Sequence, residues 1–194
     1  GGAIINVNPR GADNDGRGFR LTINQGGSLV GLSIGLGTGL FSGITGSVSI
    51  PTNTWVHVAG TYDRLTAKIY FNGVLINSTA LTSPVVYADR GVGNGPTTNT
   101  FYLGATHNNN PTSNTTLADM TLFLGRIDEA KVYNYAMNQR QIIADMNAGH
   151  PLGGSPVGSQ SVYWKFDEMN STTANDTAVQ AATSNGTLTN MASP

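Results

Sequence analysis

WVHVAGTYD (residues 55–63) and AKIYFNGVLI (residues 67–76) decide the fold of this chain. Together they predict a strand, a turn, a second strand, an Asn-Gly turn and a third strand. Alternate side chains of residues 67–71 fall on one face, which is the period of two that half-buried strands show. The pair Asn72-Gly73 supplies the positive backbone angles of a tight hairpin turn. The two stretches therefore predict an antiparallel β-meander.

The composition excludes several classes of function. Charged residues make up 11% of the 194 residues, against about 25% in an ordinary soluble domain. The net charge of −1 leaves no basic patch for phosphates, so we expect no nucleic-acid partner. The chain has no cysteine, which excludes disulfides and thiolate metal sites. No run of about 18 apolar residues is present, so we expect no membrane span.

Further strands and one helix are predicted on either side of the meander. Asn138 is a candidate helix cap with Gln141 three positions later, and an apolar stripe of Ile142, Ile143 and Met146 follows. Gly149 and Pro151 are typical of a helix end. The remaining strand candidates are residues 4–7, 19–23, 28–34, 46–50, 100–104 and 122–135.

Two motifs carry a family resemblance. The W-x-H-V-A-x-x-Y-D strand with its Y-x-N-G hairpin, and G-x-I-D-E-x-x-x-Y-N at residues 125–134, resemble laminin-G-like domains of the concanavalin A-like lectin/glucanase superfamily, closest to the bacterial type. The resemblance runs from about residue 4 to 149. It implies an all-β antiparallel jelly-roll β-sandwich with one short helix near residues 138–148. It also implies an extracellular or cell-surface location.

The family's opening strand is found at an unexpected place. Residues 162–168, VYWKFDE, resemble that strand, which belongs at the N-terminus of the pattern. We therefore expect a laminin-G-like domain without its first strand at residues 1–149, a linker at 150–161, and a donor-strand-like segment at 162–194. The segment has three possible destinations: its own domain as a circular permutation, a neighbouring molecule, or a second domain.

The leading hypothesis for function is a non-enzymatic structural module that assembles head-to-tail. A sandwich without its first strand has an unpaired edge, and an edge of this kind favours association unless it is covered. A donated strand would supply main-chain hydrogen bonds and apolar side chains, and head-to-tail contacts form rings or filaments. The expected partner is then a second copy, in a homo-oligomer or homopolymer. The residues expected at that contact are Val162, Tyr163, Trp164 and Phe166.

The competing hypothesis is a carbohydrate-binding or adhesive module of a larger secreted protein, with a glycan as its ligand. The resemblance implies one structural calcium ion for such a module and no other cofactor. Asp128 and Asp167 occupy acidic positions of the motifs, and Asp13 and Asp15 lie in a polar turn that resembles half a calcium loop. The alternative for these acids is turn formation through bonds to backbone amides.

A hydrolase is the least favoured reading. The adjacent acidic pairs at residues 128–129 and 167–168 would point to opposite faces of a strand, whereas a glycosidase needs two carboxyl groups that face one bond. His57, His107 and His150 form no spaced metal cluster. We therefore predict that the protein is not an enzyme.

Surface residues add two weaker sets of candidates. Aromatic side chains that could stack on a sugar are Tyr87, Tyr102, Tyr133 and Tyr135, each of which could equally pack in a strand. Sequons permit N-glycosylation at Asn77, Asn114, Asn170, Asn175 and Asn185.

Overall fold

The computed structural model describes residues 2–9, 16–24, 28–37, 41–87, 99–107, 120–148, 160–168, 172–178 and 184–188. Within these residues the elements are β1 (Gly2–Pro9), β2 (Phe19–Ile23), β3 (Leu29–Gly35), β4 (Phe41–Ser49), β5 (Val58–Tyr62), β6 (Thr66–Phe71), β7 (Val74–Ala80), β8 (Asn99–Leu103), β9 (Ala105–His107), β10 (Met120–Leu122), β11 (Ala130–Tyr133), α1 (Gln139–Ala148), β12 (Gln160–Trp164), β13 (Thr173–Ala174) and β14 (Gly186–Thr187). The chain forms two compact units, Gly1–Gly125 and Arg126–Pro194. No helix among the described residues has the length and apolarity needed to cross a membrane.

Two larger antiparallel sheets and the short β9–β10 pair form the described part of the first unit. One has five strands in the order β4-β3-β2-β1-β8, and the other has three in the order β5-β6-β7. The three-stranded sheet is the predicted meander, and its hairpin turn has positive φ angles at Asn72 and Gly73, as predicted. The side chain of Asn72 also accepts a hydrogen bond from the backbone N–H of His57 at 2.8 Å, which ties the turn to the segment before β5.

The core lies between these two sheets. Leu21, Leu32 and Ile34 point inward from the five-stranded sheet, and Ala67 and Ile69 meet them from β6. Ala67 and Ile69 are fully buried, in agreement with the face predicted for residues 67–71. The all-β antiparallel jelly-roll sandwich with one short helix is therefore confirmed.

Gly35 allows another backbone segment to approach closely at the end of β3, an interior strand of the five-stranded sheet. The backbone N–H of Gly35 donates to the carbonyl of Gly18 at 2.8 Å, and the chain crosses so closely that a Cβ atom on Gly35 would lie 2.3 Å from the carbonyl oxygen of Gly16 and 2.5 Å from Cα of Arg17. These are backbone atoms, which cannot rotate away. Position 35 therefore requires glycine for steric reasons.

The strand predicted over residues 122–135 is divided in the structure. Its beginning belongs to β10, which pairs with β9, and only residues 130–133 form β11. Glu129 has a φ of 52°, and the side chain of Asp128 accepts a hydrogen bond from its backbone N–H at 2.9 Å. The left-handed backbone of Glu129 and its hydrogen bond to the Asp128 side chain interrupt the strand pairing. The prediction of one strand over residues 122–135 was therefore wrong.

In the second unit β12 pairs antiparallel with β11 of the same chain, and Ala130 lies opposite Trp164. The predicted opening-strand segment therefore has a partner strand in its own chain. The boundaries predicted at 149 and 161 differ from the division after Gly125, and they stay a prediction. Most of the predicted linker lies outside the described residues.

Asp176 holds the segment after β12 in place. Its carboxylate accepts hydrogen bonds from the backbone N–H groups of Tyr163 at 3.0 Å, Ala178 at 3.0 Å and Ser184 at 2.9 Å. The indole N–H of Trp164 donates to the carbonyl of Ser184 at 2.9 Å. One buried carboxylate thus satisfies three backbone donors from three separate parts of the unit.

The helix begins with the predicted cap. The side chain of Asn138 accepts from the backbone N–H of Gln141 at 3.0 Å, and the side chain of Gln141 accepts from the backbone N–H of Asn138 at 2.9 Å, which is a capping box. The predicted apolar stripe is only partly buried: Ile142 is enclosed, but Ile143 is exposed. The predicted helix end at Gly149 and Pro151 lies outside the described residues.

We expect Gly35→Ala to lower the free energy of unfolding by about 1–3 kcal/mol, because the new methyl group would overlap backbone atoms of residues 16 and 17. Ser33→Ala, two residues earlier on the same face, adds no atoms and should change stability by less than about 0.5 kcal/mol. Urea denaturation of the three proteins measures both effects. Equal stability of the two variants would refute the close approach at Gly35.

We expect Asp176→Asn to destabilise the second unit by about 1.5–3 kcal/mol, because the amide has one acceptor oxygen where the carboxylate serves three N–H groups. Hydrogen exchange should become faster at the amides of Tyr163, Ala178 and Ser184. The same substitution at the exposed Asp167 is the control and should leave these amides unchanged. Unaltered exchange in Asp176→Asn would contradict the assigned role.

Candidate functional site

A row of polar side chains crosses the outer face of the five-stranded sheet. Antiparallel register places Tyr102 of β8 opposite Asn6 of β1, Asn6 opposite Arg20 of β2, and Arg20 opposite Ser33 of β3. Directly opposed residues share a face of a sheet, so these four side chains lie side by side. We call them the polar row.

The polar row faces away from the core because strand residues alternate between faces. Leu21 follows Arg20 and is buried in the core cluster, as are Leu32 and Ile34 on either side of Ser33. On β1, Ile5 packs against the same cluster, one residue before Asn6. The residues that build the core therefore determine which side chains form the row.

Arg20 is the charged member of the row. Its guanidinium carbon lies 3.8 Å from the centre of the Phe41 ring, which is a close cation–π contact. Its Nε–H is buried, and among the described residues it has no hydrogen-bond acceptor. Burial lowers the pKa of Arg20 below its usual value, because a charge removed from water without a partner is disfavoured. The side chain nevertheless stays protonated near neutral pH.

The other members of the row differ in exposure. Asn6 is fully buried, whereas Tyr102 and Ser33 are half-buried. Arg20 and Phe41 are half-buried as well. The row combines guanidinium donors, an amide, which both donates and accepts, and two hydroxyl groups. The half-buried groups of Arg20, Ser33 and Tyr102, which lie near an aromatic ring, are suited to a small polar ligand.

The backbone of residues 16 and 17 borders the row at the end of β3. Gly35 lies two residues beyond Ser33 on the same face, and Phe41 is its partner on β4. A Cβ atom at position 35 would lie 2.3 Å from the carbonyl oxygen of Gly16. The backbone of residues 16 and 17 therefore covers the outer surface of the sheet at this point. The Arg20–Phe41 pair therefore lies beside a backbone wall.

The residues predicted for strand exchange lie in the second unit and are largely enclosed. Val162, Tyr163 and Trp164 are buried, and they belong to the β11–β12 pair of one chain. Phe166 is half-buried and has a φ of 60°, an uncommon left-handed conformation for an aromatic residue. The structure gives no support to their donation to another molecule.

Tyr133 and Tyr135, two of the predicted sugar-stacking tyrosines, take part in side-chain contacts within the second unit. The hydroxyl of Tyr133 donates to Asp145 at 2.9 Å, and Lys131 pairs with the same carboxylate at 3.1 Å. The ring of Tyr135 packs edge-on against Tyr133, with 5.9 Å between ring centres. These contacts indicate a packing role for Tyr133 within the second unit.

Tyr163 contributes to the same network. Its hydroxyl donates to Glu129, and Lys131 lies 4.8 Å from the centre of its ring. Burial raises the pKa of Tyr163, and the hydrogen bond to Glu129 raises it further. The phenol therefore remains neutral, which suits a structural hydrogen-bond donor.

The predicted calcium ligands are only partly within the described residues. Asp128 and Asp167 are both exposed and lie at the same end of the β11–β12 pair, Asp128 before β11 and Asp167 after β12, while Asp13 and Asp15 lie outside the described residues. The described residues contain no group of three or more His, Asp or Glu side chains that could hold a metal ion. In addition, one carboxylate oxygen of Asp128 already accepts a hydrogen bond from the backbone N–H of Glu129. A calcium ion stays a prediction.

The predicted glycosylation sites differ in environment. The side-chain N–H of Asn77 donates to the carbonyl of Thr45 at 2.7 Å, a bond that an attached glycan would disturb. Asn175 is exposed, and Asn185 is exposed but accepts from the backbone of Asp176. Asn114 and Asn170 lie outside the described residues.

Sequence reasoning found one member of the polar row and missed three. Tyr102 was a candidate, but Asn6, Arg20 and Ser33 were recognised only as parts of strands. The available signal was a polar residue at an outward position of each strand. Their alignment depends on the order β3-β2-β1-β8, which the chain does not reveal because β8 is far from β1 in sequence. Phe41 was missed for the same reason.

Comparison with known proteins agrees with this architecture. A family model of the laminin G type, described as concanavalin A-like lectin/glucanases superfamily, matches residues 2–143. None of the curated proteins matches the chain significantly.

The solved structures that are similar to the chain include the following two. One is a "putative carbohydrate binding protein" from Bacteroides ovatus ATCC 8483, with 20% identity, a TM-score of 0.57, and coverage of 96% of this chain and 49% of that one. The other is an S-layer domain-containing protein (residues 221–444) from Clostridium thermocellum ATCC 27405, with 21% identity, a TM-score of 0.36, and coverage of 67% and 56%.

The first likeness shows a shared fold, and the second is too distant to carry an argument. The chain spans about half the length of the solved chains that it matches. The family model, however, covers well over half of the present sequence, including the 55–76 meander and the G-x-I-D-E motif. The chain therefore belongs to the laminin-G-like family of the concanavalin A-like lectin/glucanase superfamily.

Proposed function

We propose that the chain is a non-catalytic carbohydrate-binding module that acts at the cell surface or outside the cell. The observation that carries this proposal is the polar row with Phe41 beside Arg20 on the outer face of the five-stranded sheet. Sugars present hydroxyl groups together with apolar C–H faces. A binding site for them needs convergent donors and acceptors beside an aromatic surface, and the polar row has both.

Two further considerations support binding over hydrolysis. The polar row has no carboxyl group, whereas hydrolysis of a glycosidic bond ordinarily uses two. The similar Bacteroides ovatus structure is named for carbohydrate binding and not for an activity. Because the chain matches only about half of that protein, the ligand of the complete relative is not transferred to it.

Head-to-tail assembly, the leading expectation from the sequence, is not favoured. It was expected because the predicted domain at residues 1–149 lacked its first strand, and because residues 162–168 resembled that strand at a different place in the chain. In the structure β12 pairs with β11 of its own chain, and the Asp176 contacts hold the following segment against Tyr163 and Trp164. The glycan-binding alternative therefore has the better support.

Binding to an array of neutral and acidic oligosaccharides, followed by calorimetry on each hit, tests the proposal. We expect Phe41→Ala to weaken binding about tenfold, because the variant loses apolar contact area and the ring that holds Arg20. Repeating the titration in EDTA tests the calcium expectation separately. Full binding in EDTA would exclude a ligand-bridging calcium ion.

Trp55→Ala is the matched control for the Phe41 variant. Trp55 is 62% exposed and precedes β5 of the three-stranded sheet, so it presents an aromatic ring away from the polar row. Its removal should leave glycan affinity unchanged. Loss of binding in Trp55→Ala with retention in Phe41→Ala would move the site to the other sheet, and failure of every oligosaccharide to bind would refute the proposed function.

A further inference from the structure

Arg20 is a half-buried cation that has no anionic partner among the described residues. Its charged group contacts the Phe41 ring at 3.8 Å, and no ion pair or hydrogen bond of this side chain to the protein is found in the described part of the structure. Lys131, a cation that also contacts an aromatic ring, has Asp145 as a counter-ion at 3.1 Å. The contrast indicates that Arg20 is not part of a structural ion pair.

A buried charge that serves only structure is normally paired, because removal from water is costly. Apolar side chains in the same position would stabilise the sheet without this cost. Position 20 is also on the outer face, where the core does not require an arginine. The unpaired guanidinium is therefore better explained by a ligand than by folding.

We propose that the polar row binds an acidic glycan, and that the anionic group of that glycan, a carboxylate or a sulfate ester, pairs with Arg20. This inference rests on the proposed function and narrows it to one class of sugar. Charge-assisted hydrogen bonds from a guanidinium to such groups are about twice as strong as neutral ones. An anion would also remove the desolvation penalty that now falls on Arg20 alone.

The neighbours of Arg20 are suited to the rest of such a ligand. The Phe41 ring contacts the guanidinium group, so little side-chain freedom is left to lose on binding. Ser33, its half-buried partner on β3, provides a neutral hydroxyl group beside the guanidinium. The anion thus gives strength and charge selectivity, while the neutral members of the row contact the ring hydroxyls.

The test compares the affinity of the protein for acidic oligosaccharides with its affinity for their neutral, carboxyl-reduced counterparts. Oligosaccharides of uronic acids and sialic acids are titrated by calorimetry alongside their carboxyl-reduced counterparts, and sulfated oligosaccharides form a third arm. We expect the wild-type protein to bind at least one acidic series about tenfold or more tightly than its neutral counterpart. The third arm distinguishes a carboxylate from a sulfate ester.

Arg20→Gln should reduce affinity for the acidic sugar about tenfold or more and leave affinity for the neutral counterpart nearly unchanged. Arg20→Lys keeps the positive charge but loses the planar guanidinium group with its paired N–H donors. This variant should retain part of the preference for the acidic sugar over its neutral counterpart. The matched control is Arg64→Gln, the same substitution at an exposed arginine in the β5–β6 turn, which should behave like the wild type. Thermal unfolding confirms that each variant is folded.

The outcomes separate this inference from the proposed function. Equal binding of acidic and neutral sugars, or an unchanged preference in Arg20→Gln, would overturn the acidic-glycan inference and leave carbohydrate binding intact. Absence of binding to any sugar by the folded wild type would overturn both. A preference lost equally in Arg64→Gln would show a general charge effect and would also overturn the role of Arg20.

Discussion

The packing of Leu21, Leu32 and Ile69 between the two sheets is the interaction on which the rest of the first unit depends. Full burial of each large apolar side chain stabilises the fold by roughly 1.5–3 kcal/mol. Strand residues alternate between faces, so this packing also determines the outer face. A slip of one residue in β2 would bury Arg20 and expose Leu21, and both changes are unfavourable. The same contacts that hold the sheets together thus align the polar row.

Two buried carboxylates, Asp176 and Asp145, each accept several hydrogen bonds in the second unit. Asp176 serves backbone donors near Tyr163, Ala178 and Ser184, and Asp145 similarly serves Lys131 and Tyr133. A chain with only 11% charged residues places these two acids where each satisfies several buried groups. Such buried, hydrogen-bonded carboxylates specify the local conformation, because an alternative arrangement would leave donors without acceptors.

This use of charge also bears on function. Several charged side chains of the second unit bond to one another or to the backbone, which indicates structural roles for Lys131, Asp145, Glu168 and Asp176. Arg20 differs, because its charge has an aromatic contact but no counter-ion among the described residues. Laminin-G-like sandwiches support many unrelated functions, so the fold by itself favours none of them. The chemistry of the outer face favours a ligand, and the free guanidinium favours an acidic one.

The sequence alone determined the Asn72-Gly73 hairpin and the capped helix, because each depends on contacts between residues close in the chain, and it indicated the sandwich through its family motifs. Local signals also located β2 and β8, since alternation and family motifs are visible within single strands. They failed for residues 122–135, where the left-handed Glu129 interrupts a stretch that has strand composition. Only the tertiary structure decided that β8 lies beside β1, that β12 pairs with β11, and that Tyr102, Asn6, Arg20 and Ser33 form one row. Strand order is set by packing between distant segments, and no local pattern records which strands become neighbours.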